Sequence, residues 1–306
     1  MLTKAQAFQL DVHFSVEQKG RNNAGYFINF NGTAGIWRKS CIEDAGGWQA
    51  DTLTEELDLS YRAQLKGWKF KYLETVESPA ELPAEMNGLK SQQFRWTKGG
   101  AEVARKLLPK VWRSSIPFGT KIHATTHLLS SSIFIAVLIC AVISVPMILV
   151  VGSGQEFTIL NYSIVFLVSV LSIVFIYMAS TFAREGLSFR SFFYFLFMLP
   201  TFLSLSMGMS LHNSIAVLEG FSGKKSAFIR TPKFNIQNNT DSWKDKKIYI
   251  KSKPSVLTLS EGFLALYFFG AIFLALYCKT PQFIIFHAML AFGFGAIFLY
   301  SMRHAR

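Results

Sequence analysis

Residues 133–151 read IFIAVLICAVISVPMILVV, an unbroken stretch with no charged side chain. A helix needs about 20 mostly apolar residues to cross a bilayer, and this stretch with its flanks (125–151) supplies them. Further runs follow at 160–182, 191–217, 256–277 and 282–301. No water-soluble core explains five such runs in succession, so the C-terminal part, 121–306, is expected to be an α-helical multi-span membrane domain. Upstream, residues 1–120 mix charged and apolar side chains with Gly-rich turns. They read as water-soluble α/β material, a separate domain.

The formal net charge of +12 raises the question of nucleic acid. No basic face interleaved with aromatic side chains is present, so no nucleic acid is expected. The excess lies mainly beside the apolar runs, where Lys and Arg mark cytoplasmic loops and meet the anionic surface of the lipid bilayer. Cys41, Cys140 and Cys278 are scattered and fit neither a disulfide nor a zinc spacing. The start, Met1 to Gln6, lacks an apolar signal region. It opens inside an amphipathic pattern, Ala5, Phe8, Val12 and Val16, so a fragment of a longer chain is expected.

Charge bias also gives a topology. Residues 1–120 lie on the cytoplasmic side, and the cation-free loop from Gly152 to Phe157 on the other. Arg184, Arg190 and the basic loop 219–255 return to the cytoplasm. Both ends of 191–217 are then cytoplasmic, Pro200 interrupts it, and Gly208, His212 and Asn213 make its second half less lipid-like. It reads as an interface helix, leaving four spans, with the Arg303/Arg306 tail inside.

Within 1–120, Gly25 to Asn31 reads as a strand, and Gly32-Thr33-Ala34-Gly35 as a tight turn that lets backbone approach a ligand. Ser40 and Glu43 have the spacing of a capping box for a short helix ending at Gly46-Gly47. Thr54 is a good N-cap for the next helix, with Glu55, Glu56 and Asp58 in its first turn and Leu57, Tyr61 and Leu65 as its buried stripe. Acids at a helix start are favoured by the dipole alone, so chemistry and plain helix stabilisation both remain open there. Asp58 and Arg62 can pair at i,i+4. Trp68 to Leu73 alternates as a half-buried strand does. Gln92, Arg95 and Trp96 share one helix face, offering a flat apolar plate beside several donors. That set suits a sugar ring next to a diphosphate, and it equally suits a helix that packs Trp96 inward.

Taken together, these stretches resemble the processive family 2 glycosyltransferases, and among them the cellulose-synthase-like β-mannan synthases and bacterial relatives. The resemblance is carried by His13-Phe14 with Glu17-Gln18, Phe30 through Arg38, Ala45-Gly46-Gly47-Trp48, the Thr-Glu-Glu segment, Lys66 through Phe70, Glu81-Leu82-Pro83 and Gln92-Gln93-Phe94-Arg95-Trp96. It implies the C-terminal half of a GT-A domain, an α/β fold, over 1–120. It also implies an inverting transfer of hexose from a nucleotide sugar, GDP-mannose or UDP-glucose, to a growing β-glycan that is exported between the spans. A bacterial inner membrane is the expected location.

By position in the family motif, Glu56 is implied as general base, where the family has Asp, with Glu55 and Asp58 beside it. Gln92 and Arg95 are implied to hold the diphosphate, Trp96 to stack the acceptor, and Asn31, Gly32 and Thr33 to border the acceptor end. Phe228, Thr231 and Lys233 in Phe228-Ile229-Arg230-Thr231-Pro232-Lys233 resemble a gating loop that closes over the nucleotide. A plain basic loop at the lipid surface is the alternative. The family's divalent metal, Mg²⁺ or Mn²⁺, is expected in the full-length enzyme. Its Asp-x-Asp ligands are absent upstream of the Thr-Glu-Glu segment, and Asp241 and Asp245 are too far apart to replace them. The chain alone is therefore expected to be inactive and to lack an N-terminal half. Alternatives are a non-processive transferase acting on a lipid acceptor and a non-catalytic membrane subunit.

Overall fold

A computed structural model describes residues 1–32, 34–154, 163–235 and 255–304. The chain begins as one long helical rod: α1 (Leu2–Val12), a π turn (His13–Gln18) and α2 (Lys19–Asn23) follow without a break. Leu2, Ala5, Phe8 and Val12 are buried along one face. The π turn adds a residue to the helical repeat, so the stripe does not continue as the spacing predicts. Val16 is only half-buried, and Gln18 takes the inward place.

α3 (Lys39–Asp44) and α4 (Glu55–Leu65) follow. α3 starts two residues earlier than a Ser40 cap requires, with Arg38 as N-cap and no side-chain cap bond. It ends at Gly46 and Gly47, whose φ angles of 88° and 78° suit glycine. Thr54 does stand at the N-cap of α4, yet its side chain makes no cap bond.

The two expected strands are corrected. Residues 26–31 and 68–73 run as extended backbone, and no strand ladder is present among the described residues. A strand is defined by its neighbour, and here side-chain amides take the neighbour's place. Gln64 accepts from Ile28 N at 3.0 Å and donates to Ile28 O at 2.7 Å. Asn22 likewise donates to Phe70 O at 2.8 Å and accepts from Tyr72 N at 3.1 Å. The described part of 1–120 is thus helices with extended connections, not a sheet-based layer.

α5 (Met86–Arg113) is the longest element, capped by the Glu85 side chain. It leads through α6 (Phe118–Leu128) and a 3₁₀ turn (Ser130–Ser132) into α7 (Ile133–Gly152). Residues 125–128 therefore belong to α6, ahead of the first apolar crossing helix. α8 (Ser163–Glu185) comes next. The 191–217 segment, read as one helix, is two: α9 (Phe189–Gly208) and α10 (Ser210–Ser222). α11 (Val256–Tyr277) and α12 (Ile284–His304) complete the chain. Residues 236–254, the distal part of the basic loop, and Arg306 lie outside the described residues.

Among the described residues, five helices are long and apolar enough to cross a membrane: Ser130–Gly152, Leu167–Glu185, Phe189–Gly208, Val256–Tyr277 and Pro281–His304. The chain is a membrane protein on that ground. Ala141, Val145 and Ile148 of α7 pack with Phe268, Ala271 and Ala275 of α11 and with Leu290 and Phe294 of α12. The α9–α12 crossing is close enough that a Cβ on Gly293 would overlap the Ser204 carbonyl. Upstream, Phe27, Tyr61, Val103, Ala104, Leu107 and Val111 form a core with Ala124 and Leu128 of α6. The two parts are also joined elsewhere. Phe8 of α1 is buried against Phe195 and Leu199 of α9 and stacks on Tyr177 of α8 at 5.1 Å. Burying such a ring stabilises by about 1.5–3 kcal/mol.

Candidate active site

α4 and α5 meet where α4 begins. Gly99 makes the meeting possible: a Cβ there would fall 2.6 Å from Thr54 Cγ2, 2.7 Å from its Oγ1 and 2.9 Å from its backbone N. Contact at that distance leaves no room for any side chain. It brings the Arg95 turn of α5 opposite the Glu55–Glu56 turn of α4. The Thr54 hydroxyl is buried in this contact instead of capping the helix.

Glu56 is partly buried at this junction. Removal from water, reinforced by the neighbouring Glu55 charge, pushes its carboxyl up to about 7, against the lowering pull of Arg95. In return, Glu56 and Glu55 partly offset the burial that lowers the Arg95 guanidinium. Asp58 is different. It is fully buried, accepting from Arg62 Nε at 2.7 Å and ion-paired with Lys106 Nζ at 2.9 Å. Arg62 also donates to the carbonyls of Ala45 and Gly47. Asp58 therefore ties α4 to the glycine turn after α3 and to α5.

The extended segment climbs α4 toward its start. Ile28 is held by Gln64, and Phe30 N donates to Ser60 Oγ at 2.9 Å. Each step moves one helical turn toward Glu56, so Asn31 and Gly32 follow in that direction. Asn29 Nδ2 donates to Asn31 Oδ1 at 2.7 Å, and Gly32 has φ of 63°. Thr33 lies outside the described residues.

Arg95 faces a second partner. Its Nη1 donates to Ile229 O at 3.0 Å, and its guanidinium lies 4.6 Å over the Phe228 ring. Phe228 of the basic loop is thus brought to the Arg95 face, while Thr231 and Lys233 lie nearer the start of α5, where Pro232 approaches Gly88. The Thr231 hydroxyl is buried, and Lys233 is exposed. Trp96, next to Arg95 in sequence, is 38% exposed. Gln92 is half-buried one turn earlier. Glu55, Glu56, Arg95 and Phe228 therefore gather at one place. Asn31 and Gly32 approach from α4, and Asp58 belongs to the scaffold.

Three residues here were not singled out from the sequence. Lys98 is fully buried, reaching Glu219 Oε2 at 3.0 Å and Ser226 Oγ. Lys106 pairs with Asp51 at 2.9 Å as well as with Asp58. Glu81, noted only as part of Glu81-Leu82-Pro83, binds backbone of the basic loop. A lysine next to paired glycines, Lys98-Gly99-Gly100, was the available signal of close packing. The expected divalent metal finds no holder: no group of three His, Cys, Asp or Glu side chains is placed to bind one among the described residues.

The sequence model of the family described as glycosyl transferase family group 2 matches residues 3–211. Glucomannan 4-beta-mannosyltransferase 1 of Oryza sativa subsp. japonica is 44% identical over 124 residues, 40% of this chain and 24% of the rice protein. Glucomannan 4-beta-mannosyltransferase 9 of Arabidopsis thaliana is 34% identical over 185 residues, 57% of this chain and 33% of the plant protein. The matched stretch spans about a quarter to a third of the length of these curated relatives. No solved structure matches the chain.

Proposed function

Because the chain belongs to glycosyl transferase family group 2, we propose that it carries the acceptor side of a membrane-embedded, inverting hexosyltransferase that extends a β-glycan from a nucleotide sugar. The observation that carries this reading is the gathering of Glu56, raised to about 7, and Arg95 at the Gly99 contact. A base works best when its pKa lies near the working pH, and a planar guanidinium is suited to a diphosphate.

In this reading the Glu56 carboxylate takes the proton of an acceptor hydroxyl. The hydroxyl oxygen then bonds to the anomeric carbon of the donor as the bond from that carbon to the phosphate oxygen breaks. The electron pair leaves on the nucleoside diphosphate, where Arg95 and Gln92 offset the charge. Trp96, with its exposed ring, stacks the acceptor sugar. Asn31 and Gly32, with Thr33, border the acceptor end. Glu55 keeps the Glu56 carboxyl raised. The residues described do not fit a divalent metal, and no step is routed through one. The relatives' names speak of mannosyl transfer to glucomannan, which favours a mannosyl donor, GDP-mannose, over UDP-glucose. Phe228, Thr231 and Lys233 belong to a segment that responds to the nucleotide. Polymer passage between the membrane helices belongs to the same reading.

The test is transfer of labelled sugar by membranes carrying the chain joined to the remaining length of a curated relative. GDP-mannose should yield product sensitive to β-mannanase, and Glu56→Gln should remove it. Transfer that ignores Glu56→Gln, or that goes only to lipid, would overturn the reading.

A further inference from the structure

α11 carries a single charged side chain, Glu261, in its second turn. It is fully buried, and its Oε2 accepts from Lys90 Nζ of α5 at 2.6 Å. Its Oε1 has no hydrogen-bond partner, so among the described residues Lys90 alone meets its charge. A charge within an apolar helix is costly to keep and marks a functional position. A buried ion pair adds little to stability beyond what well-packed apolar side chains would. What it does fix is geometry, because either partner moved away alone becomes an unpaired buried charge.

The place of Lys90 on α5 gives the pair its meaning. At about 100° per residue, Lys90, Phe94 and Thr97 lie on one side of the helix, and Gln92, Arg95, Trp96 and Gly99 on the other. The membrane helices hold the first side. His212 Nε2 of α10 donates to Lys90 O at 3.0 Å, and its ring meets Phe94 edge-on at 5.9 Å. At the end of α12, His304 Nδ1 accepts from Met86 N at 3.1 Å, and His304 O accepts from Asn87 Nδ2 at 3.1 Å. The first turns of α5 are thus gripped from behind by α10, α11 and α12, and Glu261 supplies the only ion pair of that grip. In front, Gly99 sets the distance to α4.

We propose that Lys90 and Glu261 are a positioning pair. They set the rotation of α5 about its own axis, so that Gln92, Arg95 and Trp96 face the start of α4. The clamp stands on geometry alone, whereas its effect on the donor rests on the reading of Arg95 as a diphosphate ligand. Neither residue touches the reacting atoms. Their part is to refer the site helix to a membrane helix, so that α5 cannot turn without breaking the pair or carrying α11 with it.

The experiment has two arms: amide hydrogen exchange on the full chain in lipid nanodiscs, and kinetics with GDP-mannose on the chain joined to the remaining length of a curated relative. Glu261→Gln should speed exchange over 86–96 by about tenfold and raise the KM for GDP-mannose by about tenfold. A smaller folded fraction would lower the rate and leave KM where it was. The double variant Lys90→Met with Glu261→Met removes both charges. It should melt no lower than wild type and still show the raised KM. The reversed pair, Lys90→Glu with Glu261→Lys, should bring KM back toward wild type. If the reversed pair does not fold, the double-methionine variant decides. Unchanged exchange over 86–96 in Glu261→Gln overturns the clamp. A wild-type KM in the double-methionine variant, or a folded reversed pair whose KM stays raised, overturns the positioning role. If the completed wild-type enzyme transfers no sugar, the transferase reading falls, and exchange over 86–96 alone decides the clamp.

Discussion

Glu56 and Asp58 stand two positions apart on α4 and meet opposite surroundings. Asp58 has Arg62 and Lys106 within ion-pair distance, so its charge is structural. Removing one member of a buried pair costs about 3–5 kcal/mol. Asp58→Asn is expected to lower unfolding stability on that order in detergent, measured by thermal unfolding, with activity lost in step with folded protein. Glu56 is held up to about 7 by burial and by Glu55. As the base it must be ionised, so in the enzyme completed with the remaining length of a relative, turnover should rise with pH through about 7 and flatten above it. Glu56→Gln should lower turnover by about 10²-fold or more, and Glu56→Asp should retain or raise it. The stability sign is fixed by the same shift. A carboxyl raised in the folded state favours folding below its ordinary value of 4.5, and that contribution is lost as pH rises through about 7. The melting temperature of Glu56→Gln relative to wild type should therefore be higher at pH 8 than at pH 5; an equal difference at both would contradict it. The Asp58–Arg62 pair was legible because i,i+4 spacing states it outright. Lys106 was not, because only the crossing of α5 over α4 brings it there.

At the scale of elements, the helices carrying the motifs were legible, and the extended segments were misread as sheet. Period-two alternation reports which side of a segment is buried and is silent on what pairs with its backbone. Gln64 and Asn22 look like ordinary polar helix residues in the sequence, yet each completes an extended segment. The 191–217 run also hid a junction, since apolar composition continues through Gly208 and Met209 while the helix divides. Gly99 sets the spacing of α4 and α5. A Cβ there meets Thr54 side chain and backbone within 3 Å, and backbone cannot move aside cheaply. Gly99→Ala should cost about 1–3 kcal/mol of stability and part Glu56 from Arg95. Faster amide exchange at residues 54–58, with turnover down about tenfold, is the expected result. Wild-type exchange there would show that the contact does not position the site.

At the scale of the whole molecule, five helices have the length and composition to cross a bilayer, which the apolar runs had announced. The helical rod at the start was read as part of a separate domain, and its seat against α8 and α9 had no signal, because an amphipathic stripe does not name its partner. That seat bears on topology. Asp11 pairs with Arg184 at the end of α8, and Gly220 of α10 lies against Lys98 O, so both ends of the α9–α10 pair are tied to upstream elements. We therefore expect α9 to lie at the interface, with Ser222 and Met302 on the side of residues 1–120 and Ser153 on the other. Single cysteines at these positions, with Cys41, Cys140 and Cys278 replaced, should react accordingly with an impermeant maleimide. Labelling of Ser222 from the Ser153 side would make α9 a crossing helix. The amides of Gln64 and Asn22 have a consequence where molecules meet one another. Extended backbone with free N–H and C=O groups is a template for pairing with another chain. These two side chains mask the part of it they bind, as a blunted edge strand does. Gln64→Ala should therefore reveal itself less in activity than in solubility: extracted protein self-associating with time and concentration through residues 26–31.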